Sequence, residues 1–179
     1  QLSTSNGIQA DSGVVDADVL HSLQLTRAFG ENDPLKIIGA AKIKELVWHE
    51  DAFAIGFNFG LLTSLVKLDM SVEKASGYRN GSFMASTNGM LLLEEVNMRN
   101  NRLARNGDNG NVATLDLSWQ GRLKKLDVRG TGLTRVKLAT GAPVVQLCLP
   151  DTIEELFLEY LTKLSDSGLI LEGINNVRG

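Results

Sequence analysis

The chain predicts a repeat solenoid: a stack of short parallel β-strands joined by irregular or short helical returns. Three observations lead there. A phrase of the form apolar-x-x-apolar-x-apolar occurs nine times. Its spacing tightens along the chain into turns of about 20 residues, a period that belongs to stacked repeats. The apolar composition is also aliphatic. Hydrophobic residues make up 43% of the 179 positions and aromatics only 6%, so the interior must be built mainly from Leu, Val and Ile.

The copies run in order as Leu20/Leu23/Leu25, Ile43/Leu46/Trp48, Leu65/Leu68/Met70 and Leu93/Val96/Met98. They continue as Val112/Leu115/Leu117, Leu123/Leu126/Val128, Leu133/Val136/Leu138, Val144/Leu147/Leu149 and Ile153/Leu156/Leu158. In apolar-x-apolar the two apolar side chains share one face of a strand and the middle residue takes the other. One such strand buries almost nothing by itself. Stacked coils bury a continuous core, with neighbouring strands about 4.8 Å apart. The central residues from Leu23 to Leu115 are 23, 22, 28 and 19 positions apart, and those from Leu115 to Leu156 are 11, 10, 11 and 9 apart. Taken in pairs, the later steps make full turns of 21 and 20 residues with an extended segment on each side. The connections carry turn chemistry: Asn-Gly at 80–81, 88–89, 106–107 and 109–110, and Gly130-Thr131-Gly132.

The stretch Leu93-Glu94-Glu95-Val96-Asn97-Met98-Arg99-Asn100-Asn101-Arg102-Leu103 follows the L-x-x-L-x-L-x-x-N-x-L consensus throughout. Leu123-Lys124-Lys125-Leu126-Asp127-Val128-Arg129-Gly130-Thr131-Gly132-Leu133 follows it with Thr131 at the Asn position. Over roughly residues 19–171 the chain resembles a leucine-rich repeat protein. The tight half-turns are similar to irregular bacterial members found in surface proteins of gut Bacteroidetes and in their phages. Most other copies lack the Asn, so the chain departs from the family there. The resemblance implies a leucine-rich-repeat-like stack that binds protein or glycan on its strand face, with no fixed catalytic set. It favours a bacterial surface, a secreted protein or a phage virion over the cytoplasm. Residues 1–18, polar and without pattern, read as a leader or N-terminal cap, and 19–179 as the solenoid. Leu169-Ile170-Leu171 looks like one more strand without a polar cap after it, so further repeats or neighbouring subunits are expected at that end.

Other functional classes find little support. A net charge of −3 supplies no electrostatic reason for nucleic acid or anionic lipid as partner. No apolar run approaches the roughly 18 residues of a membrane-spanning helix. A single cysteine, Cys148, excludes an internal disulfide framework and a multi-cysteine metal site. His21 and His49 have no metal-ligand spacing and read as surface or rim residues. No nucleophile-elbow, phosphate-loop, zinc-protease or dinucleotide motif occurs. Neither cofactor nor metal is expected, and the chain is not expected to be an enzyme.

Candidate binding residues come from the outward strand positions. Read one turn at a time, these form the columns Glu45, Lys67, Glu95, Thr114, Arg135, Glu155 and Val47, Asp69, Asn97, Asp116, Lys137, Phe157. A third column runs His49, Ser71, Arg99, Ser118, Ala139, Glu159. The plain reading is a solvated face of compensating charges; the functional one is a contact surface around Asn97, Arg99, Asp116 and Lys137. This register sets Asp69 and Asp116 two coils apart in one column and Asp127 on the opposite side, which leaves no paired carboxylates in a cleft. The longest step carries its surplus in residues 73–89, where Tyr78 and Arg79 are interface-type residues and Phe83 with Met84 read as a return packed inward. The expected function is therefore a non-enzymatic protein- or glycan-binding or adhesion module. The rival readings are a structural component of a phage tail, fibre or other large assembly, and a polysaccharide-acting enzyme on a β-helix.

Overall fold

A computed structural model describes residues 2–3, 14–16, 22–25, 36–48, 58–73, 87–101, 103, 114–157 and 160–171. Within them the chain forms thirteen short strands: β1 Leu2–Ser3, β2 Val14–Asp16, β3 Ser22–Leu25, β4 Lys36–Ile38, β5 Glu45–Trp48, β6 Lys67–Asp69 and β7 Glu95–Asn97, then β8 Thr114–Leu117, β9 Lys125–Asp127, β10 Arg135–Leu138, β11 Gln146–Leu149, β12 Glu155–Phe157 and β13 Leu169–Leu171. The helical segments are single 3-10 turns, among them Phe59–Leu61 and Thr87–Gly89. An eight-stranded sheet in the order β1-β3-β5-β6-β7-β9-β11-β13 is accompanied by a three-stranded sheet β12-β10-β8 and a pair β2-β4. All pairings are parallel except that of β1 with β3. The result is the repeat solenoid that the phrase spacing predicts.

The registers show how the coils stack. Leu23, Leu46, Leu68, Val96, Leu126, Leu147 and Leu169 are paired in one row across the large sheet, and Leu115, Val136 and Leu156 form the equivalent row of the small one. All of these but Leu169 are the central residues of the nine phrases, and Leu169 belongs to the further strand expected at Leu169-Ile170-Leu171. From β8 onward the strands alternate between the two sheets, so each turn carries an extended segment on each side, as the halved spacing requires. One step is different from the sequence reading. The 19-residue interval from Val96 to Leu115 is not a full turn: Val96 pairs with Leu126, 30 residues on, and Leu115 opens the second sheet. The spacing hides this because both sheets use the same apolar phrase.

Each coil is closed by the same small set of backbone contacts. One carbonyl at the start of a strand accepts from two successive amides of the next coil: Lys44 O from Val66 and Lys67, Val66 O from Glu94 and Glu95, Glu94 O from Lys124 and Lys125, and Lys124 O from Val145 and Gln146. Just before, a tight turn bonds residue i+3 to residue i at Leu62/Leu65, Met90/Leu93 and Gln120/Leu123, and it sends both of those side chains inward. After the strand, Asn101 is buried and its amide donates to Met70 O of the preceding coil at 2.9 Å. Thr131, which replaces Asn one coil later, donates its hydroxyl to Val128 O at 2.6 Å. Both satisfy carbonyls that the turn would otherwise strand in the core. Beside them Asn100 and Gly130 take left-handed backbones, with φ of 60° and 68°. A Cβ on Gly130 would collide with the Asn100 side chain stacked on it.

The core is a set of parallel rows. Leu46, Leu68, Leu126 and Leu147 are at most 1% exposed, as are Trp48, Met70, Met98, Val128 and Leu149 in the next row. Full burial of such side chains contributes about 1.5–3 kcal/mol each. At the turn corner the two 3-10 segments press together, so that a Cβ on Gly89 would overlap the backbone of Gly60. The Asn88-Gly89 dipeptide is thus the end of a 3-10 turn packed on the previous coil. Phe83 and Met84 lie outside the described residues.

Truncation of Leu126 or Leu147 to Ala is expected to cost about 2–5 kcal/mol in urea unfolding, whereas Glu45→Ala, on the outward face of the same sheet, should cost under about 1 kcal/mol. Gly89→Ala should destabilise by roughly 1–3 kcal/mol through overpacking against fixed backbone. Gly121→Ala, where a Cβ meets nothing within 4 Å, should be near neutral in the same measurement.

Candidate binding face

The outward positions of the eight-stranded sheet form two columns whose spacing is set by the ladder. The first runs Glu45, Lys67, Glu95, Lys125, Gln146. Signs alternate coil by coil, with Lys67 3.7 Å from Glu45 and Lys125 3.1 Å from Glu95. Next to it Lys124 bonds Glu94 at 2.6 Å, and that hydrogen bond holds the Glu94 carboxyl below its ordinary range. Exposed pairs of this kind add little stability; here they hold long side chains in line.

The second column runs Val47, Asp69, Asn97, Asp127, Cys148, Ile170. Its polar members cap the bend that follows each strand. Asp69 Oδ1 accepts from the Ser71 amide at 3.0 Å and from its hydroxyl at 2.7 Å. Asn97 Oδ1 accepts from the Arg99 amide at 3.2 Å. Asp127 accepts from the Arg129 amide at 3.2 Å and also takes that guanidinium in a two-pronged ion pair, at 2.9 and 2.5 Å. Between the two columns lies a groove of about 360 Å³ that crosses β5, β6, β7, β9 and β11. Beyond the second column a wider hollow is lined by Ser71, Glu73, Asn97, Arg99, Asn100 and Asp127. Cys148 occupies an outward position but is fully buried. Burial, and then the charge of Asp127, push its thiol pKa up, which leaves it protonated and a poor nucleophile.

The sequence candidates are divided between two surfaces. Asn97 lines both the groove and the hollow, and Arg99 lines the hollow. Asp116 and Lys137 lie on the three-stranded sheet, 3.6 Å from each other. Asp116 caps its own bend, accepting from the Ser118 amide at 2.9 Å. On that sheet Arg135 also pairs with Glu155 at 2.5 Å and lies over the Phe157 ring. Columns that join Glu95 to Thr114, Asn97 to Asp116 and Arg99 to Ser118 are therefore replaced by ones that join Glu95 to Lys125, Asn97 to Asp127 and Arg99 to Arg129. Asp127 shares its column with Asp69, and Asp116 is the residue on the other sheet. Tyr78, Arg79, His21 and His49 lie outside the described residues.

Periodicity alone missed Lys125, Asp127, Arg129 and Gln146. A signal for two of them was present. Leu68-Asp69-Met70-Ser71, Val96-Asn97-Met98-Arg99 and Leu126-Asp127-Val128-Arg129 share one phrase, an Asp or Asn between the inward residues followed by the residue whose amide it caps. Leu115-Asp116-Leu117-Ser118 carries it too, so the phrase marks a bend and not a particular sheet.

Among the described residues no group of three or more His, Cys, Asp or Glu is placed to hold a metal ion, and no helix is long and apolar enough to cross a membrane. No family model matches the chain, and neither a curated protein nor a solved structure is significantly similar to it.

Burial opposes ionisation of Asp116, but the Ser118 hydrogen bonds and Lys137 outweigh it and keep the carboxyl below its ordinary value. A lowered folded-state pKa gives stability that is present above the unfolded value and is lost as pH falls through the folded one. Asp116→Asn should therefore flatten the acid limb of thermal unfolding below roughly pH 4. It should leave the slope near neutral pH unchanged.

Proposed function

We propose that the chain is a recognition module of leucine-rich-repeat type that binds a protein or glycan on the outer face of its eight-stranded sheet and performs no chemistry of its own. The observation that carries this reading is the groove between the two columns. It spans five strands, and its polar side chains stand at the strand spacing, about 4.8 Å. A partner finds donors and acceptors whose positions are set by the backbone, so little side-chain freedom is lost on contact. Asn97 lines both the groove and the hollow, and Arg99 lines the hollow beside it.

The assignment of the carboxylates supports binding over catalysis. A glycoside-cleaving pair needs one carboxyl to give up a proton and another to act as base or nucleophile across a cleft. Asp69 and Asp127 each cap a bend, and Asp127 also holds Arg129. The bacterial surface or phage setting implied by the resemblance to leucine-rich repeat proteins suits such a module.

The test is capture of a partner by pull-down and on a glycan array, followed by affinity measurements on two variants. Asn97→Ser keeps a side-chain oxygen at the bend but removes the amide donor; combined with Arg99→Ala it should weaken binding at least about tenfold, roughly 1.4 kcal/mol, with the melting temperature nearly unchanged. Asp116→Ala with Lys137→Ala, on the other sheet, should leave binding intact. The reverse pattern would move the contact surface to the three-stranded sheet, and cleavage of a captured glycan would replace the reading with an enzymatic one.

A further inference from the structure

We infer that one corner of the solenoid, where the small sheet passes to the large one, is a site for a linear polysaccharide that carries a carboxylate on every second sugar. The inference does not rest on the binding-face reading and concerns a different surface. It starts from three successive returns that stack on one another, at 118–123, 139–144 and 160–164. The ladder pairs Thr114, Arg135 and Glu155, so Trp119, Thr140 and Tyr160, each five residues on, hold one position in successive coils. The backbone agrees: Gly121 N donates to Trp119 O at 3.1 Å and Thr162 N to Tyr160 O at 2.9 Å. Leu123 N donates to Gln120 O, and Leu164 N to Leu161 O, in the same way. Arg122 and Lys163, each three residues beyond its aromatic ring, therefore correspond as well. The corner thus repeats aromatic-x-x-cation two coils apart, and the coil between carries Thr140 and Pro143 at those positions.

None of these four side chains serves the core. Trp119 is 65% exposed and Tyr160 75%, and Arg122 and Lys163 are exposed too. Among the described residues neither cation forms an ion pair. Arg122 favours ionisation of Glu94, but that carboxylate is bonded to Lys124. On the adjoining small sheet, by contrast, Lys137 and Arg135 are engaged by Asp116 and Glu155. Tyr160 has a φ of 59°, a left-handed backbone that glycine adopts at lower cost than a bulky residue. A large ring held there without burial in return points to a role outside the fold. The Trp119 corner is fixed from beneath, since Gln120 is fully buried and its amide donates to Thr87 O at 2.6 Å and to Met90 O at 3.3 Å.

The spacing selects the ligand. Two coils separate the ring positions by about 10 Å, close to the advance of two sugars in an extended β-linked chain. The apolar faces of alternate pyranoses lie on successive rings, and each carboxylate meets one cation. An extended peptide repeats the same face every two residues, about 7 Å, and misses this period. A polyproline helix repeats at about 9 Å but docks in aromatic-lined grooves, whereas these rings stand out from a corner.

The probe is a hyaluronan octasaccharide, in which glucuronate alternates with a neutral amino sugar, titrated calorimetrically into the full chain. It should bind with a Kd of roughly 1 mM or below, more weakly as salt is raised. Trp119→Ala and Tyr160→Gly should each weaken binding at least about tenfold, and so should Arg122→Gln combined with Lys163→Gln. All these variants should keep the parent circular dichroism spectrum, and Tyr160→Gly should melt no lower than the parent. Asn97→Ser with Arg99→Ala, on the large sheet, should leave hyaluronan binding unchanged, so that this site and the sheet face fail separately. Absence of binding, binding indifferent to the two ring substitutions, or equal binding of polyglutamate or of a proline-rich peptide would each overturn the inference.

Discussion

Everything in this solenoid depends on the parallel backbone ladder between coils. A three-residue strand such as Lys67–Asp69 or Lys125–Asp127 is too short to stand alone, and its amides and carbonyls have partners only in the coils above and below. The carbonyls of Lys44, Val66, Glu94 and Lys124, each taking two successive amides from the next coil, fix where β6, β7, β9 and β11 begin. Once that position is set, the rows beneath the sheet and the columns above it follow, because a slip of one residue would exchange the two faces entirely.

Coil length is free to vary as long as this start is respected. The steps between paired residues are 28 from Leu68 to Val96, 30 from Val96 to Leu126 and 21 from Leu126 to Leu147, yet the strands stay in register. The difference is taken up in the returns. Where two returns come close, as at Gly60 and Gly89, the side chain is given up to allow the approach. Where the chain turns out of the strand, a buried Asn101 or Thr131 satisfies a carbonyl. Different residues meet the same requirement, which is why an incomplete Asn ladder still permits regular stacking.

The ladder also decides which charges meet. On the large sheet, alternating signs along Glu45, Lys67, Glu95 and Lys125 keep like charges from being stacked directly, and the Asp and Asn residues beside them shape the bends. These side chains serve the coil first and remain in place for a partner. The same economy is absent at the β13 end, where apolar residues meet no further coil among those described.

The sequence by itself determined the class of fold and the identity of the core. Every central residue of the apolar phrase lies in a paired row, because alternation at period two reports directly on which side of a strand is dry. Only the tertiary structure decided which coils are neighbours. The phrases centred on Leu115 and Leu126 are alike in sequence, yet one opens the small sheet and the other continues the large one. That choice rests on whether the intervening residues turn half way or all the way round, and apolar periodicity does not record it. The candidate face was legible to the same extent: Asn97 and Arg99 could be found from their strand, while their true neighbours Asp127 and Arg129 are 30 residues away and are brought beside them by the coil alone.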